Sequence, residues 1–295
     1  MIANILPEIS FVTGLGVGAI YGLIALGYAV VFSGTGVFNL AQGDLLMIGT
    51  LLSYYFVSVL GFGMWGIPLI VMGVVAVSLV EERFAVRPFL RQLHGIGWFI
   101  ATVAFSLILE TVAALVYGDR PAAPVPGPFG HATIAIGRLH VNPQYLLALG
   151  SLIVMVVLVS AFYRYSWFGQ AMRASAEDRQ AASLRGIRPS RVSVAAFAIG
   201  GLIAGVGGYL VGPITFADPT IGLNYTLKGF LALAIGGFGS LPGVVVGGLV
   251  LGISEQYFDL YVNPKFEDLA GLALLFLVLM VRPRGLFGRA AERSV

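Results

Sequence analysis

The sequence predicts an all-α, polytopic integral membrane protein with about eight hydrophobic segments, one of them broken or re-entrant. Three observations carry this reading. Of 295 residues, 58% are apolar and 11% charged, against roughly 25% charged in a soluble globular domain, and the mean hydropathy is +0.93. Residues 9–43 and 45–80 carry no formal charge, which leaves Asp44 alone in a stretch long enough for three spans at ~20 residues each. The 40 glycines concentrate in the apolar stretches, where membrane helices use small residues for close packing. The bilayer is the solvent implied by this composition, and disorder is excluded. The absence of cysteine removes disulfides, zinc–thiolate sites and thiol nucleophiles from consideration.

The stretches 33–36 (Ser-Gly-Thr-Gly) and 61–68, rich in breakers, divide the first three spans and place Asp44 within the second. Further segments run over 95–117 with Glu110 inside, 139–163, 192–217, 229–254 and 269–281. No Lys or Arg precedes the first segment and no small-residue cleavage site follows it, so it reads as a retained anchor. Within 229–254, the run 236–243 (Gly-Gly-Phe-Gly-Ser-Leu-Pro-Gly) is expected to split the segment into two half-helices of about ten residues. Backbone that leaves the helix at membrane depth survives only when buried in protein or lining a watery cavity. Gly236, Gly237, Gly239, Ser240 and Pro242 are therefore candidates for a translocation path or gate, with a continuous kinked helix as the plain alternative.

Charge orients the chain. Residues 164–191 hold six arginines against Glu177 and Asp178, the tail from Arg282 holds four against Glu292, and 81–94 holds three against Glu81 and Glu82. Lys and Arg favour cytoplasmic loops, so these three segments are placed inside, and the loop 118–143 and the acidic segment 255–268 outside. The basic balance is thereby topology, and nucleic acid is not an expected partner. Three apolar segments between two inside loops would leave the tail outside, so one of the three must fail to cross or be broken. The segment 229–254 is the candidate.

The inside loop reads as carrying a short helix over 176–185. Ser175 to Asp178 matches a capping box, Gly186 suits the left-handed position after a helix end, and Pro189 prevents continuation. Ala181, Ala182, Leu184 and Ile187 are too few to hold such a helix in lipid and it is too short to persist alone, so a protein partner is one reading and a plain solvated connector the other.

The two lysines, Lys228 and Lys265, follow Leu and Pro, so no Gly-Lys-Ser/Thr phosphate loop exists. His94, His131 and His140 lack metal-ligand spacing. No Gly-x-Ser-x-Gly elbow and no paired catalytic groups are evident, so the sequence supplies none of the constellations an intramembrane enzyme needs. Asp44 and Glu110 inside apolar segments are functional candidates by default, and Asn39, Gln42 and Gly43 recur with Asp44 at spacings that would face one cavity. An ion-coupled secondary carrier using the two acids, and a channel lined by 229–254, are the competing classes. The Gly-x-x-x-Gly pairs at 14/18/22, 201/205, 208/212, 243/247 and 248/252 are read first as internal packing.

Four motifs in order then resemble one family. They are 22–28 followed by 37–44 (Val-Phe-Asn-Leu-Ala-Gln-Gly-Asp), the stretch 173–178 with Ala181, Leu184, Gly186 and Ile187, the run 236–243 with Gly247, Gly248, Gly252 and Glu255, and 282–288 (Arg-Pro-Arg-Gly-Leu-Phe-Gly). The chain resembles the permease subunits of branched-chain amino acid ABC importers, in particular their shorter, H-type subunit, over residues 14–288. The resemblance implies a single transmembrane permease domain over 1–295 with a cytoplasmic coupling loop at 164–191. It implies a second permease subunit, two cytoplasmic ATPases that bind the ATP, an external substrate-binding protein and a bacterial inner membrane, with no cofactor or metal in this chain. Ser175, Glu177, Asp178, Ala181, Leu184, Gly186 and Ile187 are then the expected ATPase-coupling residues, and Asn39, Gln42, Gly43 and Asp44 join the glycine break as expected path or gating residues. Branched-chain or related hydrophobic amino acids are the implied cargo, with urea, short amides or aromatic acids as alternatives within the same class.

Overall fold

The structure, a computed structural model, describes residues 6–90, 96–118, 124–129, 132–136, 139–177 and 179–288. His94, His131, Asp178 and the tail beyond residue 288 lie outside the described residues. The helices are α1 (Leu6–Thr35), α2 (Gln42–Ser53), α3 (Ile67–Glu81), α4 (Gly97–Tyr117), α5 (Pro143–Tyr165), α6 (Trp167–Glu177), α7 (Arg179–Leu184), α8 (Pro189–Thr215), α9 (Gly222–Gly236), α10 (Leu241–Tyr261) and α11 (Glu267–Val281). Helix α2 runs on as a π-helix over Tyr54–Val59, and α3 is flanked by 3-10 and π turns that make 63–89 one helical stretch. One short antiparallel pair, β1 (Ile134–Ile136) and β2 (Leu139–Val141), adds to the helical plan, with Ala135 opposite His140.

Among the described residues, six helices are long and apolar enough to cross a bilayer: α1, the α3 stretch, α4, α5, α8 and α10. All eight expected segments appear as helix. The expected pair of ten-residue half-helices is corrected, because 229–254 divides into α9 of 15 residues, beginning before it at Gly222, and α10 of 21. Four helices, α8 to α11, lie between the arginine-rich loop and the tail; of these, α8 and α10 are long and apolar enough to cross. The C-terminal end of α9 meets that tail directly, with the Leu286 and Phe287 amides donating to the Ile235 and Gly236 carbonyls, both at 2.9 Å.

The chain forms two compact units. One comprises residues 1–29, 131–156 and 228–295; the other comprises 30–130 and 157–227. In the first, the glycine row of α1 lies on the glycine row of α10. A Cβ placed on Gly248 would stand 2.6 Å from the Gly18 carbonyl oxygen and 2.6 Å from the Gly22 nitrogen, so the two backbones touch directly. Helix α10 packs also on α11. In the second unit α8 is the axis, with α2 and α3 laid along it. Val31, Ala85, Val86, Leu90 and Phe197 form one core cluster, and Ala41, Leu45, Val74, Leu109 and Ala204 another. Ser78 donates to the Phe197 carbonyl at 2.7 Å and ties α3 to α8. Large apolar side chains remain uncovered on α4 (Ile100, Leu107, Leu115), α5 (Val157, Leu158) and α11 (Phe276, Met280), as lipid-facing helices require.

A methyl group at Gly248 therefore has no room. Gly248→Ala is expected to destabilise the protein by about 1–3 kcal/mol, the usual cost of overpacking, whereas Gly150→Ala on α5, with nothing within 4 Å, should be neutral or slightly stabilising. Melting followed by size-exclusion fluorescence in detergent separates the two, and equal melting temperatures would refute the backbone contact.

Candidate functional site

Four elements place chemistry in the apolar interior or at its edge. The first is a polar cluster in the second unit, assembled where α1 ends and α2 begins. Asn39 does not lie on α2 as the sequence spacing suggested, since the helix starts at Gln42. Instead its Oδ1 accepts from the Ala41 amide at 2.9 Å and fixes the turn into the helix, while its Nδ2 donates to Glu81 at 3.0 Å. Gln42 donates to the Gly200 carbonyl of α8 at 3.2 Å. Asp44, in the first turn of α2 where a carboxylate suits the helix dipole, accepts from the Ser106 hydroxyl of α4 at 2.5 Å. The Gly43 amide donates to Thr226 Oγ1 at 3.1 Å, and Thr226 donates to the Leu40 carbonyl at 3.2 Å.

The structure thus brings Asn39, Gln42, Gly43 and Asp44 together, fully buried. Glu110, the other intramembrane acid, sits one turn beyond Ser106 on α4 and is half-buried. Ser106 lies about 14 Å along α4 from Gly97 at 1.5 Å per residue, so Asp44 is held near the middle of a ~30 Å hydrocarbon layer. Gln42 Oε1, Asp44 Oδ1 and Glu81 Oε1 accept no hydrogen bond from the described protein atoms. An unmet acceptor in such a place is costly. Glu81 was counted as a loop charge in the sequence. Its burial follows from its position at the last turn of α3, where Asn39 can reach it.

The glycine break belongs to the first unit and is not among these residues. Gly237 and Gly239 take left-handed φ of 102° and 82°, which turns the chain sharply between α9 and α10. Ser240 caps α10 by accepting from the Gly243 amide at 3.1 Å, and Pro242 occupies its first turn. Gly236 lies against Gly243, and Gly237 against Arg284 and Gly288 of the tail. The 282–288 motif is thereby explained: its amides satisfy the carbonyls at the end of α9 that no helix continues to serve.

The arginine-rich loop differs from its expected form. Ser175 does not cap a helix over 176–185. It lies in the last turns of α6, an amphipathic helix that Ala171 and Met172 anchor by their burial, and α7 follows separately. The capping-box pattern lost because the apolar residues at 167, 168, 171 and 172 start the helix a full two turns earlier. The far end is as the sequence predicts. Gly186 takes φ of 84°, its amide donates to Ser183 at 3.0 Å, and the Ile187 amide reaches back to Ala182 at 3.1 Å, a Schellman closure. Arg188 is extended, as a residue before proline must be, and Pro189 opens α8. Ala181 and Gly186 are exposed, Ile187 half-buried, and Leu184 is 88% exposed.

One buried group escaped the sequence reading. Lys228 of α9 donates to Glu255 of α10 at 2.7 Å and to Glu267 of α11 at 3.1 Å, lies 2.9 Å from Asp268, and sits 5.9 Å above the Tyr21 ring. The segment 255–268 is accordingly the end of α10, a short connection and the start of α11, and three of its acids converge on one ammonium. The signal was available: a lysine in an apolar segment demands an opposite charge.

Long apolar helices with uncovered apolar faces and polar side chains buried between them define a multi-pass membrane protein. The family described as "Branched-chain amino acid transport system / permease component" matches residues 10–280. The chain is 35% identical to the high-affinity branched-chain amino acid transport system permease protein LivH of Escherichia coli (strain K12), covering 96% of both chains. It is 30% identical to the corresponding protein BraD of Pseudomonas aeruginosa, covering 98% of this chain and all of that one. A chain of PsaBC from Streptococcus pneumoniae, solved in complex with Fab, shares the fold with a TM-score of 0.52 over 97% of this chain and 98% of that one, at 11% identity. The chain belongs to the family of branched-chain amino acid transport permeases.

Lys228→Met would strand Glu255, whose side chain is 1% exposed. Breaking a buried pair in this way is expected to cost about 3–5 kcal/mol, and adding Glu255→Leu should recover much of it. A double-mutant cycle on melting temperature or folded yield checks this; strictly additive losses would show that the pair is not coupled.

Proposed function

We propose that this chain is the membrane-spanning permease subunit of an ATP-driven importer for branched-chain or related hydrophobic amino acids in a bacterial inner membrane. It works with a second permease subunit, two cytoplasmic ATPases and an external substrate-binding protein. ATP is bound and hydrolysed by those partners, since this chain has no phosphate loop of its own. The near-full-length likeness to branched-chain amino acid permeases supports the cargo class.

The observation that carries the coupling role is the α6–α7 element. Helix α7 ends in a closed turn and presents Leu184 to solvent, while Ala182 on the same short helix is 4% exposed. An apolar side chain held out on a rigid mount is what a docking partner needs. Behind it, Met172 and Ala196 lie against Gly34 at the end of α1, and Ser33 and Tyr163 share a hydrogen bond of 2.5 Å. Pressure on Ala181, Leu184, Gly186 and Ile187 is thus passed through packed side chains to the ends of α1, α5 and α8, and on to the turn carrying Asn39, Gln42, Gly43 and Asp44 that begins five residues beyond Gly34. Packed elements shift as bodies, whereas a solvated loop would absorb the displacement. Ser175, in the last turns of α6, together with Glu177 and Asp178, completes the proposed coupling set. Gly236, Gly237, Gly239, Ser240 and Pro242 act as the fixed turn against which α9 and α10 move, a gating part rather than a lining one.

Two outcomes test this. Burying a leucine is worth about 1.5–3 kcal/mol, so Leu184→Asp should weaken ATPase association by about tenfold or more and abolish leucine uptake in membrane vesicles. Gly186→Val, strained at its positive φ, should do the same. Association and uptake at wild-type levels in both would refute the coupling role. Cysteines introduced at 125–129 should be labelled only from outside, and at 183–185 only from inside; the reverse pattern would invert the proposed orientation.

A further inference from the structure

Two grooves in the second unit meet at Arg191. One, of about 300 Å³, is lined by Trp167, Ile187, Arg188 and Arg191. The other, of about 320 Å³, is lined by Arg87, Phe168 and Arg191. Arg87 is already engaged by Glu82 at 2.6 Å. Among the described residues no carboxylate pairs with Arg188 or Arg191, and the first turn of α8, from which both project, contains no acid. The grooves therefore carry two uncompensated guanidinium groups beside two aromatic rings.

Their level along the chain decides what they meet. Helix α5 leaves the apolar layer at Tyr165, where the Arg164 guanidinium lies 5.5 Å over that ring, and α8 starts its own apolar course just after Arg191. Trp167 is 62% exposed and Phe168 also points outward, while Ala171 and Met172 of the same helix face inward. Exposed Trp and Tyr with arginines at the ends of spans mark the headgroup level of a membrane, and basic pockets between spans on the cytoplasmic side receive anionic headgroups. The first groove borders the coupling turn at Gly186 and Ile187, while the exposed Leu184 lies outside both linings.

We propose that the grooves joined at Arg191 bind the phosphate headgroup of an anionic phospholipid of the inner leaflet. Arg188 and Arg191 donate to the phosphate oxygens, in the forked geometry that guanidinium offers. Trp167 and Phe168 lie along the glycerol and upper acyl region. A bound lipid would fix the start of α8 relative to α6, the two elements that flank the coupling helix. The proposal depends on the arginine-rich loop lying at the membrane surface and not on the identity of the cargo.

The test is lipid retention by the assembled importer, purified in mild detergent from membranes containing phosphatidylglycerol and phosphatidylethanolamine and read by native mass spectrometry. The Arg188→Gln/Arg191→Gln double variant should retain several-fold less phosphatidylglycerol, with ATPase stoichiometry unchanged. Arg164→Gln, outside the grooves, should retain as much as the wild type. Undiminished phosphatidylglycerol in the double variant would overturn the proposal. Loss of the ATPase with lipid unchanged would also overturn it and assign the surface to the protein partner. Displacement of the signal by millimolar inorganic phosphate would do so as well, by showing a site for a free anion.

Discussion

Hydrocarbon offers no hydrogen bonds, so every place where this chain leaves a helix in or at the edge of the apolar layer has to be closed by the protein itself. Two such places organise the molecule. Between α1 and α2, Asn39 accepts from the Ala41 amide and Thr226 serves both the Leu40 carbonyl and the Gly43 amide. Between α9 and α10, the last carbonyls of α9 are met by tail amides from Leu286 and Phe287, and the first amides of α10 by Ser240. In each, a second partner comes from a distant part of the sequence, Thr226 in the first and the tail amides in the other. Each break is therefore formed only once the helices around it are packed, which makes the breaks dependent on tertiary structure and sensitive to its movement.

The same scarcity of water governs the charges. Lys228 is stable where it lies because Glu255 of α10 and the first-turn acids of α11 surround it, and Tyr21 adds a ring face. Such a pair contributes little net stability compared with an apolar core, because both ions lost their hydration. What it does impose is register, since α9, α10 and α11 can meet in one alignment only. The carboxylates of the other unit are treated differently. Asp44 and Glu81 are each held by one neutral donor, with an oxygen left over. Glu255 also keeps one oxygen, Oε2, without a hydrogen bond from the described atoms, so the clusters differ in what faces their carboxylates: an ammonium in one, neutral donors in the other.

The apolar segments were legible because span length and charge-free runs are one-dimensional properties. The run 236–243 announced a break through its own glycines and proline, and the chain there is two separate helices, α9 and α10. Gly186 and Pro189 were readable for the same reason: a left-handed φ and a missing amide restrict their own positions whatever lies around them. The start of the loop helix was not, because Ser175 with Asp178 satisfies a capping pattern locally while Met172 buries itself against distant Gly34. Lys228 was overlooked for a similar reason. Its partners lie 27 to 40 residues away, and only the antiparallel return of α10 and α11 brings them into reach.

The coupling element illustrates why a short helix can serve as a mechanical part. Six residues of α-helix are far below the length that persists in water, since nucleation alone is unfavourable by a factor of about a thousand. Order in α7 must come from its ends. One end is closed by Gly186 and Ile187, and the other follows directly from α6, which is anchored by Ala171 and Met172. The entropy of fixing the handle is thus met by folding rather than at each encounter with a partner, so binding energy at Leu184 is left to move the spans instead of ordering a loop.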